Sequence, residues 1–152
     1  MDIYENLKNL KINLPTPVSS VANYLPYTIH QNTIYISGQL PIKNGDVLHQ
    51  GQVGQNISID EAIEAAQICC INIIAQLNEA TDKDLNKVKR CLKLGIFVAC
   101  TSDFTDQPKV GNGASDLIVN IFGDIGKHSR FSVGCTSLPL NACVEIDAIF
   151  AI

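Results

Sequence analysis

Arg130 is the residue whose setting in this sequence most invites chemistry. It follows Gly126-Lys127-His128-Ser129 and precedes Phe131, Ser132 and Val133, so a guanidinium enters a run with strand character. Its planar fork binds a carboxylate bidentately, which the point charge of a lysine does not reproduce. A strand-edge ion pair fits the same residue at least as well. Further on, Val144-Glu145-Ile146-Asp147-Ala148-Ile149 alternates, with Glu145 and Asp147 on one strand face and Val144, Ile146 and Ala148 on the other. Taken alone, that is a solvent-facing acidic stripe. If the strands of Arg130 and Glu145 pair antiparallel, both side chains reach the same end of the sheet and a joint site becomes available.

Three upstream features have the same double reading. Ser37-Gly38-Gln39 puts a glycine inside a strand-like run, which marks a bulge or a close backbone approach. Asn112, in Asn112-Gly113-Ala114-Ser115, stands where it would cap a helix. Tyr24 and Tyr27 offer an apolar wall with a hydrogen-bonding tip, or simply packing surface. Metal chemistry is not expected. His30, His49 and His128 are scattered and no C-x-x-C pair occurs among the six cysteines.

Composition narrows the partners. With 11 Lys+Arg against 15 Asp+Glu the net charge is −4, and the only basic grouping is Lys87, Lys89, Arg90 and Lys93. Nucleic-acid binding needs a basic face, so none is expected, whereas a small anion needs only one local cation. The first residues, Met-Asp-Ile-Tyr-Glu-Asn-Leu-Lys, carry charges where a signal peptide has an apolar run. No apolar stretch nears the roughly 20 residues of a membrane helix. A cytoplasmic protein with no membrane association and with reduced, buried thiols is the expectation.

The elements that must position these residues read as one domain over residues 1–152, with residues 1–22 as an N-terminal extension. A short helix over residues 2–11 leads to the proline-marked Leu14-Pro15-Thr16-Pro17. Strands are expected over 23–29 and 33–40, and Asn44-Gly45 marks a turn with a short strand near Val47. Ser58-Ile59-Asp60-Glu61 is a capping-box pattern opening a long helix, whose apolar face runs from Ile59 to Leu77. A strand over 88–99 presents Leu92, Leu94, Ile96 and Val98 on one face by period two. A second helical stripe runs from Val110 to Ile125 and stops at Gly126. Two closing strands, 131–136 and 143–149, flank Leu138-Pro139-Leu140-Asn141. The order β-β-(β)-α-β-α-β-β gives an α+β fold, a mixed β-sheet with two helices packed on one face.

Taken together, Tyr24, Ser37-Gly38-Gln39-Leu40-Pro41, Asn112, His128-Ser129-Arg130, Leu138-Pro139 and Val144-Glu145-Ile146 resemble the RidA/YjgF (endoribonuclease L-PSP-like) family. The run 110–115 with Phe122-Gly123 looks like a branch distinct from the best-known deaminases. The resemblance implies a chorismate-mutase-like fold and a homotrimer with clefts between subunits. It implies hydrolysis of reactive enamine/imine intermediates, such as 2-aminoacrylate and 2-iminopropanoate, to 2-oxo acid and ammonia, without a cofactor. Arg130 then matches the arginine that grips the substrate carboxylate and Glu145 the glutamate that positions water. Gly38 matches a backbone contributor; Tyr24, Ser37 and Asn112 match pocket positions. His128-Ser129 replace the usual proline and small residue before the arginine. Ser132 replaces a frequent cysteine and offers its backbone amide, and residues 105–108 form an insertion. The alternative is a non-catalytic carboxylate-binding or regulatory protein using the same cleft. A ribonuclease fits an acidic chain poorly.

Overall fold

The computed structural model describes residues 2–17 and 22–152, so residue 1 and residues 18–21 of the expected N-terminal extension lie outside the described residues. Helix α1 (Ile3–Asn9) starts at Asp2, whose side chain accepts from the Tyr4 amide, and it buries Ile3 and Leu7. Strands β1 (Tyr27–His30) and β2 (Thr33–Gln39) form a hairpin, and β3 (Ile42–Lys43) pairs with β4 (Asp46–Val47) across Asn44-Gly45. Then come helix α2 (Ile59–Ala80), strand β5 (Arg90–Ala99), helix α3 (Gln107–Phe122), and strands β6 (Ser129–Cys135) and β7 (Val144–Ala151).

The main sheet has the order β1-β2-β7-β5-β6. Every pairing is antiparallel except β5 with β6, the parallel pair that the α3 crossover joins. Helix α2 covers β2 and β7, α3 covers β5 and β6, and α1 lies against α3. This is the α+β, chorismate-mutase-like arrangement expected, with both long helices on one sheet face. Alternation supplies the buried face: Ile34 and Ile36 of β2, Leu94, Ile96 and Val98 of β5, and Val144, Ile146 and Ala148 of β7 are all buried. The predicted capping box holds α2: the Ser58 hydroxyl accepts from the Glu61 amide at 3.1 Å, and Glu61 accepts from the Ser58 amide at 2.8 Å.

Four details differ from the sequence reading. A register shift between Cys91 and Lys93 breaks the period of β5, so Cys91 is buried and Leu92 faces outward. Helix α3 begins at Gln107 with Asp106 as its N-cap, which places Asn112 inside the helix rather than at its cap. It ends at Gly123, in the left-handed region at φ 61°, before a short 3-10 turn that runs to Gly126. Finally, β6 and β7 are not neighbours; β5 lies between them.

Candidate functional site

That last point decides where the two candidate side chains go. Leu94 of β5 is flanked by Arg130 of β6 and Ala148 of β7, whereas Phe97 is flanked by Val133 and Glu145. Leu94 faces the helices and Phe97 the open side. Arg130 and Glu145 therefore project from opposite faces of one sheet, and a joint site within one chain is not formed.

On the helix side, Arg130 lies along α3. Its Nη1 donates to Ser115 Oγ at 2.9 Å, and its Nη2 donates to Asn112 Oδ1 at 2.9 Å and to the Pro108 carbonyl at 3.1 Å. Positions 108, 112 and 115 share one helical stripe because they are four and three residues apart. Ser132, two residues along β6 and on the same face, donates from Oγ to the Gln107 carbonyl at 2.7 Å. Gly111 makes the approach possible, since a Cβ there would stand 3.1 Å from Arg130 Nη1 and 3.0 Å from Ser132 Oγ. A glycine inside a helix costs roughly 1 kcal/mol relative to alanine. Here it admits a side chain onto the helix surface. Every acceptor of Arg130 is neutral, and among the described residues no carboxylate lies within ion-pair distance of it. The strand-edge ion pair is thus replaced by an uncompensated cation held in place by oxygens.

On the open side, Glu145 is half-buried and packs onto Gly38, where a Cβ would collide with Glu145 Oε1. Gly38 belongs to a bulge: the register passes from Ile36 opposite Ala148 to Gln39 opposite Ile146, three residues against two. The bulge is stitched locally. Ser37 Oγ donates to the Leu25 carbonyl at 2.7 Å, and Gln39 Nε2 donates to the Ser37 carbonyl at 3.0 Å. Asn72 of α2 holds the chain beyond it, donating to the Leu40 and Ile42 carbonyls at 3.0 Å each. The Leu25 contact brings the segment carrying exposed Tyr24 alongside. Burial first, then the negative charge of Asp147, pushes the Glu145 pKa above its ordinary value.

The predicted residues thus separate into two groups: Arg130, Asn112 and Ser132 against α3, and Glu145, Gly38 and Ser37, with Tyr24 nearby, on the open side. The sequence reading missed Ser115 and the Pro108 carbonyl as partners of Arg130. The polar pair Asn112 and Ser115, three residues apart in a helix otherwise read for its apolar stripe, carried the side-chain part of that signal, whereas the Pro108 carbonyl had none. All six cysteines are free and five are buried. Among the described residues no group of three or more His, Cys, Asp or Glu gathers to hold a metal, and no helix is long and apolar enough to cross a membrane.

The same architecture recurs in known proteins. The family model described as "YjgF/chorismate mutase-like, putative endoribonuclease" matches residues 5–151. Protein TCP17 of Trypanosoma cruzi is 39% identical over 145 residues, 95% of this chain and 90% of that protein. A protein of unknown function from Agrobacterium tumefaciens has 45% identity and a TM-score of 0.93, covering 99% of this chain and 92% of its own. A "putative endoribonuclease" from Shewanella oneidensis has 30% identity and a TM-score of 0.96 over 100% of both chains.

Proposed function

The chain belongs to the YjgF/chorismate mutase-like family, which includes the Rid deaminases, and on that premise we propose that it hydrolyses small carboxylate-bearing enamines and imines to 2-oxo acid and ammonia. The observation that carries this is the pair of unpartnered charges: Arg130, ordered by neutral oxygens only, and Glu145, a half-buried carboxyl with a raised pKa. An uncompensated guanidinium is a site for an anion, and a carboxyl shifted upward in pKa is suited to proton transfer near neutrality.

The two groups face opposite sides of the sheet, so a complete site needs a second copy, with Arg130 from one protomer and Glu145 from its neighbour. A homotrimer with clefts between subunits meets this requirement, and Tyr35, Phe97 and Val133 supply exposed apolar surface on the open side. In that cleft Arg130 holds the carboxylate of, for example, 2-iminopropanoate. Glu145 accepts a proton from water as the water oxygen bonds to the imine carbon and the C=N π pair moves to nitrogen, and the carboxyl returns that proton to the nitrogen to give the carbinolamine. Glu145 then takes the carbinolamine hydroxyl proton and passes it to the nitrogen as the C–N bond breaks, so that the carbonyl forms and ammonia leaves. Positioning and proton transfer are all that the chain's own residues are asked to supply.

A second reading, carboxylate binding without turnover, is favoured by the Ser132 hydroxyl being committed to the Gln107 carbonyl, which leaves the Arg130 half with no free acid or base. Ammonia release from freshly generated 2-aminoacrylate, compared between wild type, Arg130→Ala and Glu145→Gln, decides. Turnover lost in both variants supports the deaminase. Wild type no faster than Arg130→Ala overturns it.

A further inference from the structure

Resting on the reading of Arg130 as the carboxylate-binding group, the geometry points to His128 as a positioning residue that fixes the guanidinium through Ser115. His128 Nδ1 lies 2.6 Å from the Gly126 carbonyl oxygen. A carbonyl only accepts, so Nδ1 carries a hydrogen, and the neutral ring presents Nε2 as an acceptor. Nε2 lies 2.9 Å from Ser115 Oγ, which therefore donates to it. With its proton committed, Ser115 turns a lone pair to Arg130 Nη1, which can only donate. Carbonyl, imidazole, hydroxyl and guanidinium form a chain in which every hydrogen has one direction.

The chain matters because of how the other bonds are distributed. Pro108 and Asn112 both take hydrogens of Nη2, so Ser115 alone holds Nη1. Without an acceptor at His128 Nε2, the Ser115 proton is free to turn toward Nη1 and oppose that contact, and the guanidinium pivots about Nη2. Among the described residues nothing takes Nε–H or the second Nη1–H, so these are the donors whose aim His128 controls. The neighbouring charges Lys127 and Asp124 are paired with each other at 2.8 Å.

Two substitutions separate the ring nitrogens. An asparagine amide reaches the place of Nδ1 but not of Nε2, so His128→Asn keeps the Gly126 bond and loses Ser115. A glutamine amide reaches the place of Nε2, so His128→Gln retains an acceptor for Ser115. The probe is pyruvate, titrated calorimetrically, with 2-aminoacrylate deamination measured alongside. The expectation is that His128→Asn raises the pyruvate Kd and the KM about tenfold, with kcat changed less, while His128→Gln stays near wild type. Ser115→Ala should match His128→Asn and add nothing to it in the double variant. The proposal is overturned if His128→Asn, with an unshifted Tm, binds pyruvate as wild type does, or if His128→Gln is as impaired as His128→Asn. Arg130→Ala distinguishes the two levels: unchanged pyruvate binding in that variant removes the clamp itself, whereas its loss beside an unaffected His128→Asn removes only the positioning role.

Discussion

Glu145 lies directly over Gly38, its carboxyl filling the space that a side chain at position 38 would occupy. The contact is with the far end of a flexible side chain, so the carboxylate moves if a methyl group arrives. Gly38 is also not among the positive-φ glycines, so its backbone conformation accepts alanine.

Gly38→Ala is therefore expected to fold normally, with a Tm close to wild type, while kcat for imine hydrolysis falls by about 10- to 100-fold as the carboxyl is displaced. Thermal melts and the ammonia-release assay on the same preparation check this. An active Gly38→Ala protein would show that the placement of Glu145 over Gly38 is immaterial.

Glu145 also has a stability signature. Burial raises its folded-state pKa above the ordinary value of 4.5. Its ionised form therefore costs stability above the folded pKa, and that cost vanishes below 4.5, where the group is protonated in both states. Glu145→Gln should raise Tm at pH 8, and the gain should shrink to nothing as pH falls toward 4. Melts across that range test the sign; a Tm lowered at pH 8 contradicts it.

Opposite-face placement makes a stronger demand. Chains carrying only Arg130→Ala and chains carrying only Glu145→Gln are each expected to be inactive, yet each retains the half that the other lacks. In the proposed homotrimer, random co-assembly of the two should restore about a quarter of wild-type activity, since a working cleft needs one particular chain on each side. No recovery in mixed trimers whose composition is confirmed by mass would overturn the cleft shared between Arg130 of one protomer and Glu145 of its neighbour.

Local signals were the most legible part of this sequence. Ser58 and Glu61 announce the start of α2 because a capping box is a four-residue device, and Asn44-Gly45 announces a turn because its backbone needs positive φ. Alternation in β7 placed Glu145 opposite Val144, Ile146 and Ala148 before any partner strand was known. What escaped was non-local. Nothing between Arg130 and Glu145 says that β5 will insert between their strands, or that its register will set Arg130 level with Leu94 and Glu145 level with Phe97, an odd number of positions apart and so on different faces. Cys91 and Lys93 bracket an irregularity that one strand's pattern cannot show, since a bulge belongs to a pair. Asn112 was misplaced even though Asp106 followed by Pro108 in the first turn is a helix-opening signal, because Asn112-Gly113 offers a competing cap pattern about one and a half turns later.

The thiols described above amount to a built-in clock. Cys69, Cys70, Cys91, Cys100 and Cys143 sit in the interior, and burial pushes the pKa of Cys91 up to about 12 and that of Cys143 up to about 11. Only Cys135 is partly open to solvent. A thiol-alkylating reagent thus meets one fast site and five that register only when the layers between sheet and helices come apart. The rate at which the slow sites are modified reads how often that happens, with no probe added to the chain.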